Sequence, residues 1–264
     1  MKTVLITGAS GGMGHAICSR LLQIGWSVWG LDRCEGEPLQ GLHFVSCDVT
    51  KPESVRTALD TVTQGVDRLD AIIHTAGIYD LDSLLEIGEE RFCRIFEVNL
   101  FGVYRVNKAF IPLLSPGGRI LIVSSELAPL DPLPFTGLYA ISKASLEKYA
   151  YSLRMETNLL GISVSVIRPG AVQTGLLGDS TQALDKFCSN TQLYTCNAQR
   201  FKRIVDSVEA RNIPPNKIAL TAQKALTAKR PKLVYNINRN PLLLLLNLLP
   251  DHLQGFLIGL ILKP

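Results

Sequence analysis

The sequence predicts an α/β fold in which a doubly wound parallel sheet forms a single domain within 264 residues. Short apolar runs alternate with segments long enough for helices, and a glycine-rich turn follows the first run directly. Parallel strands joined by crossovers place helices on both faces of the sheet and ligands at the carboxyl ends of the strands. Six strands are predicted, at residues 4–7, 28–32, 44–45, 71–74, 120–124 and 164–167.

The rest of the chain extends or interrupts this rhythm. A seventh short strand is predicted at residues 233–235, after a helix bounded by prolines. Residues 171–212 have a polar, mixed composition, and we interpret them as a helical lid over the strand ends that covers a substrate. Residues 241–264 form an apolar C-terminal tail beyond the α/β domain, which is assigned to residues 1–240.

The composition argues against several functions. The 27 basic and 23 acidic residues give a net charge of +4 and are spread along the chain, without the dense basic run of a nucleic-acid-binding surface. The six cysteines show no CxxC pair and no zinc-like spacing, so we expect no metal site and reduced thiols in a cytoplasmic protein. Lys2 leads straight into the first strand, which is not the pattern of a secretory signal.

The glycine-rich turn after the first strand has the pattern of a dinucleotide-binding site. Glycines permit close backbone approach to a pyrophosphate, and the amides at a helix N-terminus favour its negative charge. Asp32 ends the second strand, 24 residues after Gly8, where an acidic residue binds the adenosine ribose. The sequence therefore predicts a Rossmann-type NAD site. The turn reads Thr7-Gly8-Ala9-Ser10-Gly11-Gly12-Met13-Gly14.

Asp32 and Arg33 bear on the choice between NAD and NADP. A carboxylate accepts hydrogen bonds from the ribose hydroxyls but repels the 2′-phosphate of NADP. The neighbouring Arg33 can either bind that phosphate or lie on the surface as a solvated charge. Because the glycine-rich turn contains no basic residue, NAD is predicted over NADP.

Tyr139 and Lys143 are candidate catalytic residues. Their i, i+4 spacing at the start of a predicted helix places the phenol and the ammonium on one face. A fixed cation near a phenol favours phenolate and lowers its pKa toward the range useful for proton transfer. The pair alone is common by chance, so its meaning depends on the residues that accompany it.

Several motifs accompany this pair in a characteristic order, and together they resemble the short-chain dehydrogenase/reductase family over about residues 2–174. This resemblance implies an NAD(P)-dependent alcohol dehydrogenase or ketone reductase, in which Tyr139 exchanges a proton with the substrate oxygen and Ser125 hydrogen-bonds that oxygen. Lys143 would hold the nicotinamide ribose and tune the phenol, and Asn99 would anchor a water that carries the proton onward. The motifs are the glycine-rich turn, Asp48-Val49, Thr75-Ala76-Gly77, Asn99, Ser124-Ser125, Tyr139 with Lys143, and Arg168-Pro169-Gly170.

The resemblance also implies further cofactor contacts and a homodimer. The cofactor-binding residues expected on this basis are Gly8, Ser10, Gly12, Met13 and Gly14 in the turn, Asp32 and Arg33 after the second strand, Asp48 and Val49 at the adenine, Thr75, Ala76 and Gly77 after the fourth strand, Tyr139 and Lys143, and Pro169, Gly170, Val172 and Thr174 at the nicotinamide.

Two positions depart from the family pattern. His74 stands where the family usually has asparagine, and we interpret it as a structural residue at a strand end rather than a catalyst. Ser125 lies 14 residues before Tyr139, one more than usual, so that simple counting selects Glu126. Ser125 is preferred because a carboxylate would oppose negative charge on the substrate oxygen, with Ser124 as the alternative.

An apolar pocket is predicted from leucines and aromatic residues around the lid, which favours a bulky lipophilic secondary alcohol or its ketone, hydroxysteroid- or retinol-like. The alternatives are an NADP-dependent carbonyl reductase, an epimerase or dehydratase with the same cofactor, and a non-catalytic NAD-binding sensor. The residues expected to make the pocket apolar are Leu127, Leu130, Leu133, Phe135, Leu138, Leu176, Leu177, Leu184, Phe187 and Tyr194.

The C-terminal tail is too interrupted to predict a membrane-spanning helix, because polar residues and Pro250 lie near its middle. Two short amphipathic helices broken at Pro250 are expected instead. They would lie on a bilayer surface or pack over the substrate mouth, with Arg239 and Lys263 near lipid headgroups, or be buried in the subunit core or dimer interface. Peripheral attachment is favoured slightly, since a lipophilic substrate would come from the same phase.

Overall fold

A single seven-stranded sheet forms the centre of the protein in a computed structural model, which describes residues 1–209 and 211–263 and only the backbone of Asp179, Val208 and Glu209. All strands run parallel in the order β3-β2-β1-β4-β5-β6-β7, so the predicted doubly wound Rossmann-type sheet is confirmed. The strands are β1 Thr3–Thr7, β2 Ser27–Asp32, β3 Leu42–Ser46, β4 Leu69–His74, β5 Leu114–Val123, β6 Ser163–Pro169 and β7 Val234–Ile237.

Helices cover both faces of this sheet. Alternate residues of each strand point to opposite faces, so Ile6 packs under α1 and α8 whereas Leu5 packs under α2 and α4. The helices are α1 Gly12–Gln23, α2 Pro52–Thr63, α3 Glu89–Phe96, α4 Gly102–Phe110, α5 Gly137–Asn158, α6 Gly175–Asn190, α7 Thr195–Glu209, α8 Asn216–Thr227, α9 Pro241–Leu246 and α10 Asp251–Leu262; a π-helical turn, Glu97–Phe101, joins α3 to α4, and a 3-10 turn, Ile111–Leu113, follows α4.

Strand β5 is the element that differs most from its prediction. It begins at Leu114, six residues before the predicted start at residue 120, and ends at Val123 rather than Ser124. The added segment contains Pro116, Gly117 and Gly118, which are typical of turns. It pairs with β4 through Leu114, opposite Leu69, and again only at Arg119, opposite Ala71, with a register shift between the two pairs. The irregular start of β5 could not be predicted from apolar runs, because its residues have the composition of a turn.

The predicted lid and tail are both helical. Helices α6 and α7 account for most of residues 171–212, in which Ala210 lies outside the described residues. Helices α9 and α10 flank Pro250 as expected, and Pro264 lies outside the described residues. None of the helices described is long and apolar enough to cross a membrane. A domain boundary after residue 240 stays a prediction.

Candidate active site

The glycine-rich turn lies against the loop that follows β4. Gly8 has a φ of +70°, and a Cβ there would lie 2.5 Å from the backbone nitrogen of Ala76. A Cβ on Gly14 would lie 2.0 Å from the Gly8 carbonyl oxygen, so the turn has no room for a side chain at either position. The Thr75 hydroxyl donates to the Thr7 carbonyl at 2.7 Å and fixes this contact. The start of α1 thus presents mainly backbone, together with the Met13 side chain, to an approaching pyrophosphate.

Asp32 is held at the end of β2 by backbone donors. Its carboxylate accepts hydrogen bonds from the Ser10 nitrogen at 3.0 Å and from the Arg33 nitrogen at 2.7 Å. Asp48 lies nearby. Burial raises the pKa of its carboxyl, but hydrogen bonds from Thr50 and the positive charge of Arg33 together lower it by more, so that the pKa lies below its usual value. The exposed Arg33 therefore has an acidic neighbour on the next strand end in addition to Asp32.

Val49 and Gly12 show how closely the cofactor loops approach one another. The buried Val49 leaves so little space that a Cβ on Gly102 would lie 2.7 Å from its side chain. A Cβ on Gly12 would lie 2.8 Å from the side chain of Thr174, so the turn after β1 and the segment after β6 meet across the strand ends. The residues predicted from both segments are thus brought to one edge of the sheet.

Tyr139 and Lys143 lie on one face of α5 and are almost fully buried, at 6% and 4% exposure. The Lys143 ammonium lies 5.7 Å from the centre of the Tyr139 ring and donates to the Val123 carbonyl at 3.3 Å. Burial lowers the pKa of Lys143 to about 8, and the Glu147 carboxylate acts in the opposite direction. The α5 helix therefore delivers the phenol and the ammonium to the end of β5.

Ser125 is the serine that contacts the phenol. Burial raises the pKa of Tyr139 above its ordinary range, the Tyr79 phenol adds to this effect, and a hydrogen bond with Ser125 acts against it. The lowering of the Tyr139 pKa that the sequence led us to expect from Lys143 is not found: the one lowering influence is the hydrogen bond with Ser125, and burial outweighs it. The Ser125 hydroxyl also accepts from the Leu127 nitrogen at 3.2 Å, whereas the buried Ser124 hydroxyl makes no hydrogen bond within the described part of the chain.

Asn99 lies behind this group in the π-helical turn Glu97–Phe101. Its side-chain oxygen accepts from the Ile78 nitrogen at 2.9 Å, and its amide nitrogen donates to the Ile78 carbonyl at 3.0 Å. The same nitrogen donates to the Ser142 hydroxyl at 3.1 Å. A Cβ on Gly77 would lie 3.3 Å from the Asn99 oxygen and 3.4 Å from the Lys143 nitrogen, so only a glycine separates the two.

One cleft joins these groups to an apolar pocket under the lid. Of the predicted cofactor-binding residues, those lining the cleft are Met13, Thr75, Gly77, Pro169, Gly170, Val172 and Thr174, together with the predicted catalytic residues Ser125, Tyr139 and Lys143. The predicted adenine-end residues, Asp32, Arg33, Asp48 and Val49, lie farther along the same edge, after β2 and β3. The structure therefore brings the predicted residues from both ends of the cofactor site to one edge of the sheet.

The apolar lining differs in part from its prediction. Four of the predicted residues line the cleft, namely Leu127, Leu133, Leu176 and Leu177. Leu130 instead lines a separate groove beside α5, and the other predicted residues pack in core clusters behind the wall: Phe135, Leu138, Leu184, Phe187 and Tyr194. Sequence reasoning missed Ile78, Tyr79, Phe201, Ile204, Val205 and Leu243. Tyr79, two residues after Gly77, was within reach of a motif search, but Leu243 carries no local signal.

His74 is buried at the end of β4, away from the cleft lining. Its Nε2 lies 2.8 Å from the Asn107 side-chain oxygen, so that nitrogen carries the proton. Burial lowers the pKa of His74 to about 4, and the hydrogen bond to Asn107 offsets only part of this effect. Asn107 in turn donates to the Tyr149 hydroxyl at 3.1 Å. The imidazole therefore connects β4 to α4 and α5 in its neutral form, which matches the structural interpretation.

A backbone-lined dinucleotide cradle next to a buried tyrosine, serine and lysine defines an oxidoreductase site. The chain belongs to the short chain dehydrogenase family, whose model matches residues 2–185. It is accordingly an NAD(P)-dependent oxidoreductase that acts on CH–OH or carbonyl groups.

Relatives and solved structures agree with this assignment. The chain is 30% identical over 258 residues to mouse estradiol 17-beta-dehydrogenase 2, covering 89% of this chain and 67% of the relative. It is 32% identical over 203 residues to mouse retinol dehydrogenase 16, covering 73% and 62%. A solved short chain dehydrogenase family protein from Francisella tularensis shares the fold, with a TM-score of 0.75, 24% identity, and coverage of 90% of this chain and 97% of that structure.

Proposed function

We propose that the protein is an NAD-dependent dehydrogenase that interconverts bulky lipophilic alcohols and their carbonyl forms: hydroxysteroid-like secondary alcohols with ketones, or retinol-like primary alcohols with aldehydes. The observation that carries this proposal is the pairing of Tyr139 with Ser125 at the base of an apolar cleft, beside Lys143. The relatives named for estradiol and retinol support the substrate class.

In this proposal the substrate oxygen lies between the Ser125 and Tyr139 hydroxyls. Tyr139 takes the alcohol proton in oxidation and returns it in reduction, while Ser125 stabilises the charge that develops on the oxygen. A dinucleotide held by the glycine-rich turn and by Lys143 would supply the hydride acceptor for oxidation and the hydride donor for reduction.

In this proposal Lys143 and Asn99 do not contact the substrate oxygen but assist the proton transfer. Lys143 is proposed to hold the nicotinamide ribose, and its pKa of about 8 keeps its ammonium form accessible at neutral pH. Asn99 fixes the backbone of Ile78 and lies beside Lys143 across Gly77, where a water on the ammonium can pass the proton toward solvent.

NAD is proposed over NADP because of the charges after β2 and β3. The Asp32 carboxylate is held where the adenosine ribose would bind, and it repels a 2′-phosphate. The charge of Arg33 is already shared with Asp48. An NADP-dependent carbonyl reductase is the alternative, in which Arg33 turns from Asp48 to the phosphate.

The test measures binding and turnover separately. NADH and NADPH binding are followed by fluorescence, and reduced-cofactor absorbance is followed with estradiol, retinol and 2-propanol as substrates. We expect tighter NADH binding and turnover of the bulky alcohols but not of 2-propanol. Binding without any turnover would favour a sensor, and tighter NADPH binding with ketone reduction would favour the carbonyl reductase.

We also propose that the tail contacts an anionic bilayer surface. One face of α9 and α10 remains exposed, whereas Leu243 on α9 lines the cleft and Leu262 on α10 packs under the lid. Basic residues flank the exposed face at Arg239 and Lys263, which suits anionic headgroups. The large side chains of this face, 61–81% exposed, are Leu242, Leu245, Leu248, Phe256 and Leu260.

Co-sedimentation with phosphatidylserine-containing vesicles tests this surface. Replacing Leu242, Phe256 and Leu260 together by serine should abolish co-sedimentation, whereas Leu159→Ser, at an exposed leucine just after α5, should not. If the tail is instead a dimer interface, the triple variant changes the solution mass, measured by light scattering, and not vesicle binding. The homodimer implied by the family resemblance is measured in the same light-scattering experiment.

A further inference from the structure

Glu126 is a buried carboxylate that the proposed chemistry does not use. It follows Ser125 directly, lines the cleft and is only 7% exposed. Its backbone nitrogen donates to the Pro169 carbonyl at 2.9 Å, which joins the segments after β5 and β6. Its side chain reaches a residue 114 positions later, where the carboxylate accepts from the Asn240 backbone nitrogen at 2.6 Å.

A carboxylate is costly at such a place. Burial raises the pKa of Glu126, and the Asn240 amide and the Arg239 charge offset this only in part. Apolar residues of similar volume often stabilise a buried site better than charged ones. A gain in stability therefore does not explain why a carboxylate is buried at position 126. The residue that it binds, Asn240, points to another role.

The partner, Asn240, is the residue that starts α9. Its side-chain oxygen caps the helix by accepting from the Leu242 nitrogen at 2.9 Å, while its own backbone nitrogen is bound by Glu126. The preceding Asn238 has a left-handed φ of 54° and donates to the Ala171 carbonyl at 3.1 Å. Hydrogen bonds at Asn238 and at Asn240 thus fix both ends of the three-residue segment that leads into α9.

Space around this segment is limited by Gly170. A Cβ on Gly170 would lie 2.0 Å from the Asn238 carbonyl oxygen and 2.9 Å from a Glu126 carboxylate oxygen. The carboxylate therefore occupies a narrow position between the end of β6 and the start of α9. Three residues into the tail from Asn240, Leu243 lines the same cleft as Ser125 and Tyr139.

We propose that Glu126 is a specificity-determining positioning residue, which holds the start of α9 so that Leu243 forms part of the pocket wall and sets which alcohols fit. This inference rests on the proposed function for its substrate and concerns the same cleft. Glu126 acts through Asn240 and Leu243 rather than on the reacting atoms.

The kinetic test compares Glu126→Ala, Glu126→Gln, Leu243→Ala and the Glu126→Ala/Leu243→Ala double variant at saturating NAD. Glutamine retains an oxygen that accepts from Asn240, so we expect values near wild type. We expect Glu126→Ala and Leu243→Ala each to raise KM for the bulky alcohol about tenfold with kcat nearly unchanged, as for lost apolar contacts in a pocket. In the double variant KM should also rise only about tenfold, because both substitutions displace the same pocket wall and their effects do not add. Glu156→Ala, on the exposed side of α5, is the control and should change neither constant.

A second measurement does not depend on turnover. Amide hydrogen exchange of the full chain should speed up across residues 240–249 in Glu126→Ala but not in Glu126→Gln, with exchange in the glycine-rich turn and NADH binding unchanged. Faster tail exchange in a chain that oxidises no alcohol would contradict the proposed function while supporting the link from Glu126 to α9. Unchanged tail exchange, a hundredfold KM effect in the double variant, or an equal loss of kcat with every alcohol would overturn the role of Glu126.

Discussion

The two halves of the active-site cleft are built in different ways. On the cofactor side, backbone meets backbone: the turn after β1 touches the loop after β4, and glycines are required where a Cβ would lie 2.0–2.5 Å from main-chain atoms. On the substrate side, helices α6, α7 and α9 present separate side chains, such as Leu176, Phe201 and Leu243, to a shared space. A site built from backbone tolerates few substitutions and suits a cofactor that a whole family shares. A site built from separate side chains can adapt to a different substrate through single substitutions.

This difference also explains the distribution of exposed apolar surface. The cofactor side is closed by core residues such as Ile6, Ile17 and Val28, all fully buried. The tail carries exposed leucines on one face and pocket or core residues on the other. Tolerance to substitution should therefore differ sharply between the halves.

The largest expected effect lies where the two halves meet. Tyr139→Phe removes the proton donor but keeps the ring, so turnover should fall by about a thousandfold or more, with NADH binding unchanged. Initial rates and fluorescence titration measure both quantities. Tyr151→Phe, on the exposed side of the same helix, is the matched control and should retain full activity. Residual activity of Tyr139→Phe within tenfold of wild type would remove Tyr139 from the mechanism.

The same substitution should have opposite effects in the two halves. Gly14→Ala forces a Cβ against the Gly8 carbonyl, so the free energy of unfolding should fall by about 3 kcal/mol and NADH binding should be lost. Gly255→Ala, in α10, has open space, and the unfolding free energy should rise by about 0.5–1 kcal/mol because alanine favours helix. Urea denaturation measures both. Equal effects would show that the contrast between backbone and side-chain construction is wrong.

The buried His74 gives the cofactor half a pH dependence. Its pKa is lowered from 6.5 to about 4, so the unfolded chain binds a proton at a higher pH than the folded chain does. The folded state is therefore stabilised above pH 6.5, and about 3 kcal/mol of this is lost as the pH falls to 4. His74→Asn removes the group, so the difference in unfolding free energy between wild type and variant should change by that amount across this range. A constant difference would contradict the buried neutral imidazole.

The smallest expected effect concerns cofactor choice. Asp32→Ala removes the repulsion of a 2′-phosphate and leaves Arg33 in place, so the ratio of NADPH to NADH affinity should rise about tenfold or more. Fluorescence titration with both cofactors measures the ratio. Glu35→Ala, three residues away on the exposed loop, is the control. A wild-type protein that already prefers NADPH would make the proposal of NAD wrong.

The parallel sheet and the strand–turn–helix around the glycine-rich turn could be predicted from the sequence because their signals are local. The glycines and the acid at the end of β2 belong to one β–α–β unit, and the i, i+4 pair lies within one helix, α5. The wall formed by Leu243 and the contact of Glu126 with Asn240 join residues far apart in sequence, and no spacing rule reports such packing. In the sequence, Glu126 stands out only because the spacing from Ser125 to Tyr139 is one residue longer than usual. Its contact with Asn240 is visible only in the three-dimensional structure.

The order of strands in the sheet has a consequence for synthesis on the ribosome. After β4 pairs with β1, each later strand adds to the outer edge of the sheet in the order in which it is made. All residues assigned to the dinucleotide precede α6, whereas Leu243 follows Thr174 by about 70 residues, several seconds at ordinary translation rates of about 5–20 residues per second. A nascent chain can therefore acquire its cofactor cradle before it has a complete substrate wall, and the dinucleotide, by binding only folded chains, would favour early folding of the growing polypeptide.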